Sequence, residues 1–272
     1  MRTLLAVFIV FLAGCASFPN TKQALTPEGT FTYSIAGQSG PVIVLESGLS
    51  DDMSSWQEVV QPLSQFGQVL IYNRAGFHGS DSHSPTRDGK NIVAELKSLL
   101  ENLQLPEPYL LVGHSLGGAY MELFAKTHPN KVSGVVLLDP NASRFTEQCQ
   151  KHNLNYCEPP SSMPFWAEWL YPDAVSGEIS GMKRTHVQIN RAGKFPHIPL
   201  YVISAPTQNV QVGTEEKRRS DLYEKTQQEI SQQSSISKFE VCQNCSHYVH
   251  HDQPERLINA VEWVISQKQK NN

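Results

Sequence analysis

The sequence has no apolar run long enough to cross a bilayer as a mature helix. Its longest, Leu4–Leu12, covers nine residues, where a span needs about 20. It has no basic cluster either. Lys and Arg total 22 against 26 Asp and Glu, a formal net charge of −4, so the electrostatic footprint of a nucleic-acid binder is missing. No internal repeat or low-complexity tract is visible. Cysteine is scarce, five in 272 residues, and its placing matters more than its number. What remains after the first 30 residues is roughly 240 residues of mixed composition, suited to one α/β domain.

The N-terminus reads as a targeting segment. One positive charge at Arg2 precedes the apolar stretch, and small residues follow in Leu12-Ala13-Gly14-Cys15. This tetrapeptide resembles the lipobox of bacterial lipoproteins. The resemblance implies cleavage before Cys15, lipidation of that cysteine and a bacterial envelope location. Ala16, in place of the aspartate that retains lipoproteins in the inner membrane, points to the outer membrane. The expected division is therefore a signal peptide over 1–14, a lipidated cysteine and polar tether over 15–29, and a folded domain over 30–272.

Short apolar runs alternate with helical periodicity along the domain. Strands are expected at Phe31–Ala36, Val42–Glu46, Val69–Tyr72, Tyr109–Val112, Val135–Leu138, Leu200–Ser204 and Ser237–Cys242. Helices are expected at 56–66, 92–103, 118–126, 215–233 and from Pro254 onward, the last with Leu257, Ile258, Val261, Val264 and Ile265 on one face. This alternation predicts a mostly parallel sheet covered on both sides. Residues 141–198 break the pattern. They hold prolines, two cysteines and the aromatics Phe165, Trp166, Trp169 and Tyr171. Phe165, Trp166 and Trp169 either line a substrate pocket or form the excursion's own small core.

Between the expected strand at 109–112 and helix at 118–126 lies Gly113-His114-Ser115-Leu116-Gly117. A G-x-S-x-G on a strand-to-helix turn resembles the nucleophile elbow of the α/β-hydrolases. Glycines flank the serine because the turn leaves no room for side chains. The helix N-terminus beside Ser115 offers free N–H groups. In this family the 141–198 excursion is where a cap is inserted. The Tyr72–Asp81 segment resembles the family's Y-D-R-x-G-x-G-x-S turn, with Asn73 for aspartate and Arg74 as a structural hydrogen-bonding centre.

A serine nucleophile needs a base, and the base an orienting acid. Ser246-His247-Tyr248-Val249-His250-His251-Asp252-Gln253-Pro254 resembles the family's G-H-x-x-x-x-D-x-P segment, which makes His247 the expected base. His250 and His251 are expected at the surface or at a helix start, and His114 beside the nucleophile. Many relatives carry the acid in the loop that here runs Ala205–Gly213, and it holds no carboxylate. Asp139, ending the strand after the elbow strand, is the expected substitute, and Asp252 the rival. The oxyanion donors are expected to be the backbone N–H groups of Leu49 and Leu116.

With Cys15 set aside, four cysteines allow three pairings. The pairing Cys149–Cys157 with Cys242–Cys245 closes the shortest loops and suits an exported chain. A rival use of Cys242, Cys245, His247, His250 and His251 as zinc ligands competes with that disulfide and with the need for His247 at the elbow. The resemblance implies no metal and no organic cofactor. It implies hydrolysis of a small-molecule or lipid-like acyl ester, with thioester or proline-iminopeptidase-like peptide cleavage as alternatives. From a different class, an envelope lipoprotein that keeps the fold without catalysis also fits.

Overall fold

The computed structural model describes residues 20–162, 164, 171–206 and 210–270. Cys15 and the aromatics Phe165, Trp166 and Trp169 lie outside the described residues, and with them the lipidation and pocket expectations. Nine strands form one sheet. The first three in chain order are β1 (Lys22–Thr26), β2 (Gly29–Ala36) and β3 (Val42–Glu46). A 3-10 turn at Met53–Trp56 leads into α1 (Gln57–Leu63), then β4 (Gln68–Tyr72), the short β5 (Asp81–Ser82) and α2 (Gly89–Asn102). Next come β6 (Tyr109–His114), α3 (Leu116–Thr127), β7 (Val132–Leu138), α4 (Phe145–Lys151) and α5 (Asp173–Arg191). The chain continues through β8 (Leu200–Ser204), α6 (Glu215–Ser231), β9 (Ser237–Val241), α7 (Val249–Asp252) and α8 (Pro254–Lys270).

The spatial order is β1-β2-β4-β3-β6-β7-β8-β9, with β5 on β2. Every pair from β4 to β9 is parallel, while β1, β2 and β5 make antiparallel pairings. Two-residue alternation along each parallel strand sends side chains to two separate cores. Val44, Leu70, Leu111, Val135 and Val202 pack with α2 and α3 on one face. Ile43, Leu45, Ile71, Val112, Val136 and Ile203 pack with α1 and α8 on the other. The predicted parallel sheet covered on both sides is therefore borne out. After β3 the chain moves to one neighbour, β4, and then returns past β3 to β6. This reversal opens a crevice at the C-terminal ends of β3 and β6, where ligands bind in open α/β sheets.

Three local readings need correction. The segment read as tether supplies β1, antiparallel to β2, because alternate residues Ala24 and Thr26 are buried on the sheet. The excursion after β7 carries the 19-residue helix α5. Its inward face includes Glu178, Thr185 and His186 as well as Ile179, Met182 and Ile189, so an apolar period could not reveal it. Of the two places expected for His250, it takes the helix start and not the surface. It sits in α7, fully buried, with its ring stacked on Trp56 at 4.3 Å. His251 is exposed, and its Nε2 lies 2.7 Å from the Ser55 carbonyl.

The two disulfides pair as expected, Cys149–Cys157 and Cys242–Cys245. The first closes α4 onto the loop that follows it, with Leu222 of α6 against both sulfurs' residues. The second closes the turn after β9, two residues before His247. With those sulfurs bonded to each other, they are not available as zinc ligands. Among the described residues no helix is long and apolar enough to cross a membrane.

Candidate active site

The elbow explains its own glycines. A Cβ on Gly113 would lie 2.7 Å from the Gly117 carbonyl oxygen, and one on Gly117 would lie 2.4 Å from the carbonyl oxygens of Glu46 and Ser47. The helix therefore starts directly against the ends of β3 and β6. Ser115 takes φ 51° and ψ −120°, a backbone state that costs an L residue about 1–3 kcal/mol. The surrounding hydrogen bonds hold it there. Its N–H donates to the Leu138 carbonyl at 3.0 Å, and its carbonyl accepts from Gly118 at 3.0 Å and Asn141 at 2.9 Å.

Asp139 follows β7 and also has positive φ, 41°. Its carboxylate receives three donors. Oδ2 lies 2.5 Å from His247 Nδ1. Oδ1 accepts from the Ala205 N–H at 3.1 Å and from Gln227 Nε2 at 2.8 Å. Gln227, on α6 and fully buried, also donates to the Pro140 carbonyl at 2.9 Å. A single buried glutamine thus fixes the carboxylate from the side opposite the imidazole. Nothing in the polar sequence of α6 singled it out. The rival carboxylate is used elsewhere: Asp252 accepts from both the N–H and the Oγ of Ser246, each at 2.6 Å, and these bonds lower its pKa. It stiffens the turn before His247 and makes no bond to the imidazole.

His247 is about half-exposed, at 44% of its side-chain surface. Its ring lies 4.6 Å from that of His114, the residue before Ser115. His114 Nε2 is 2.9 Å from the His247 carbonyl, so the buried ring beside the nucleophile supports the backbone of the other histidine. Burial pushes His114 below the usual imidazole range. Among the described residues no hydrogen bond joins Ser115 to His247. Catalytic bonds of this kind are often long in unliganded proteins and tighten with substrate.

The loop after β3 faces the elbow. Neither the Leu49 N–H nor the Leu116 N–H has an acceptor among the described residues. The loop itself is strongly held. Arg74 donates to the Ser47 carbonyl at 2.7 Å and the Gly48 carbonyl at 2.7 Å. Its remaining donors meet Glu46 at 2.8 Å and both oxygens of Glu178 at 2.7 and 2.9 Å. Arg74, Glu46 and Glu178 are each no more than 1% exposed in their side chains. Burial would lower the Arg74 pKa, but Glu178 and Glu46 outweigh it and raise it. Burial raises the Glu46 pKa, against Arg74 and the Tyr72 hydroxyl that bonds to it. Asn73 is explained as well: its Oδ1 accepts from Met53 N at 2.9 Å and its Nδ2 donates to the His78 carbonyl at 3.1 Å. An ionised aspartate could make only the first bond. Sequence reasoning found Arg74 but missed Glu178, which lies on a helix it did not anticipate.

A family model described as the alpha/beta hydrolase fold matches residues 41–241. The chain belongs to that family. It is 26% identical to the uncharacterized protein YqjL of Bacillus subtilis (strain 168) over 228 residues, 83% of each chain. In fold it is similar to a thermophilic esterase from Thermogutta terrifontis, with a TM-score of 0.59 and 16% identity over 92% of this chain and 99% of that one. It is also similar in fold to an epoxide hydrolase mutant from Vigna radiata, with a TM-score of 0.63 and 15% identity over 91% of this chain and 98% of that one. The architecture is shared across these chemistries, so the reaction must be argued from the site.

Proposed function

We propose that the protein is a serine hydrolase that cleaves carboxylic acyl esters through an acyl-enzyme on Ser115. The observation that carries this reading is the 2.5 Å contact between His247 Nδ1 and Asp139, set beside an elbow serine in its strained conformation. With Nδ1–H donated to Asp139, the neutral ring keeps Nε2 free to take a proton. His247 then removes the Ser115 hydroxyl proton as Oγ attacks the acyl carbon. The N–H groups of Leu49 and Leu116 receive the oxyanion, and His247 returns the proton to the leaving alcohol. Water activated by the same imidazole releases the acid. A serine at the elbow argues against epoxide hydrolysis, which in this family begins with an aspartate nucleophile.

The reading is tested with a fluorophosphonate probe and with p-nitrophenyl esters of increasing chain length. We expect one adduct, on Ser115, and turnover that disappears with it. An unlabelled Ser115 in folded protein would support the non-catalytic alternative, and a strict need for a free substrate amine would support the peptidase. The envelope anchor is proposed on the Leu12-Ala13-Gly14-Cys15 motif. Mass spectrometry of the mature N-terminus should find acylated Cys15, with retention in the outer membrane; an unmodified N-terminal residue there would refute it.

A further inference from the structure

Residues of α2, α3 and α5 line an open groove of about 500 Å³. Its floor is apolar, built from Val93 and Leu123, both buried, with Val187 of α5 on its wall and still 42% exposed. Three cations stand on it: Lys90 and Lys97 from α2 and Arg191 from the last turn of α5. No carboxylate lines it. In a chain of net charge −4 this is a local reversal of sign. Lys97 shares Glu101 at 2.9 Å, but Lys90 and Arg191 form no ion pair among the described residues. His128 on the rim is lowered by burial and by Lys97 and Lys131, in keeping with a positive local field. Leu123 lies eight residues along α3 from Ser115, roughly 12 Å at the rise of a helix, so the groove is separate from the candidate active site.

An apolar floor of this size with convergent charge of one sign is the form of a small-molecule site. The apolar part selects an alkyl chain and the rim selects an anion. We propose that this groove binds a single-chain carboxylate, a medium- or long-chain fatty acid anion, with its chain on Val93, Leu123 and Val187 and its head group between Lys90 and Arg191. The proposal is independent of the ester-hydrolase reading. A zwitterionic or cationic amphiphile would bury the same chain but leave the rim charges unpaired or opposed.

The test uses membranes carrying the full chain and a dodecanoate with a photoactivatable diazirine near its methyl end, followed by peptide mapping. Adducts are expected on the α2, α3 or α5 segments that line the groove. Each methylene fully moved from water is worth about fourfold in affinity, so decanoate, two methylenes shorter, should compete roughly fifteenfold more weakly than dodecanoate. The Lys90→Glu/Arg191→Glu variant should lose at least about fivefold in yield. Its labelling by fluorophosphonate should be unchanged, which reports an intact fold. The proposal is overturned if adducts map only around Ser115, if the double charge reversal leaves the yield unchanged, or if dodecyltrimethylammonium competes as well as dodecanoate. Failure of Ser115 to react with fluorophosphonate would refute the catalytic reading and leave the adduct map to decide this one.

Discussion

Two carboxylate-anchored groups, Asp139 with His247 and the two glutamates with Arg74, are built to opposite specifications. The Asp139–His247 pair has one partner buried and the other 44% exposed. The Arg74 cluster has no member more than 1% exposed. On the proposed mechanism, the difference follows from what each must do. An imidazole that takes and returns a proton must be reachable by substrate and water, whereas a guanidinium that holds two carbonyls in place must never change state. Arginine suits the second task because its planar fork meets several acceptors at once and does not deprotonate. The exposed pair supplies change, and the sealed cluster supplies a fixed frame around the loop that carries Leu49.

The sharpest way to break this comparison is to remove the changing side. Ser115→Ala and His247→Ala should each lower kcat by about 10⁵-fold or more, and the double variant should be little worse, since groups acting as one unit are not additive. Asp139→Asn should approach ~10⁴-fold, by the behaviour of triad aspartates, while urea unfolding shows the fold retained. Near-normal turnover in that variant would reassign the acid.

The sealed side should fail in a different observable. Arg74→Met leaves Glu46 buried without a cation and Glu178 with only Arg87 at 3.8 Å, and urea unfolding should show a loss of about 3–5 kcal/mol. Arg74→Met combined with Glu178→Met should recover part of it. If Arg74→Met changed turnover alone and left stability intact, the cluster would not be the frame described here.

Acid sensitivity gives a smaller effect with a defined sign. Burial lowers His250 to about 2, with His114, His251 and His247 adding to the depression, and both of its ring nitrogens lack hydrogen-bond partners among the described residues. An unfolded histidine titrates near 6.5. The unfolded chain therefore binds more protons as pH falls below 6.5, and stability is lost in that direction. His250→Phe, which keeps the stacking on Trp56, should remove about 2 kcal/mol of the loss between pH 7 and pH 5. Equal pH slopes for the two proteins would refute this. Asp252→Asn should have the smallest effect, at most about tenfold in kcat, because its bonds go to Ser246.

The fold was legible because parallel strands buried on both faces write themselves as apolar runs: Val42–Glu46, Tyr109–Val112 and Leu200–Ser204 were all visible. The elbow was legible because its steric demands admit only glycine at 113 and 117. Asp139 was reached by noticing that the loop after Ser204 lacks a carboxylate, and the contact with His247 agrees with that choice of residue. The illegible parts share one cause. Glu178, Gln227 and the buried face of α5 do their work with polar side chains that reach distant partners, 104 residues away for Arg74 and Glu178. Such pairings leave no local period. For His250 the helix-start alternative holds, but its burial was illegible for a similar reason: it rests on Trp56, far off in sequence.

The order in which the chain is made gives the position of His247 one more meaning. Ser115 and Asp139 belong to turns after the sixth and seventh strands, but the imidazole follows all nine. A chain emerging from its N-terminus holds the serine, the strained elbow and the oxyanion loop long before it holds a base. On the proposed mechanism, the growing chain is therefore chemically silent until the segment after the ninth strand has been made. Fragments cut short before the turn closed by Cys242 and Cys245 would remain silent, whatever else of the sheet they had assembled.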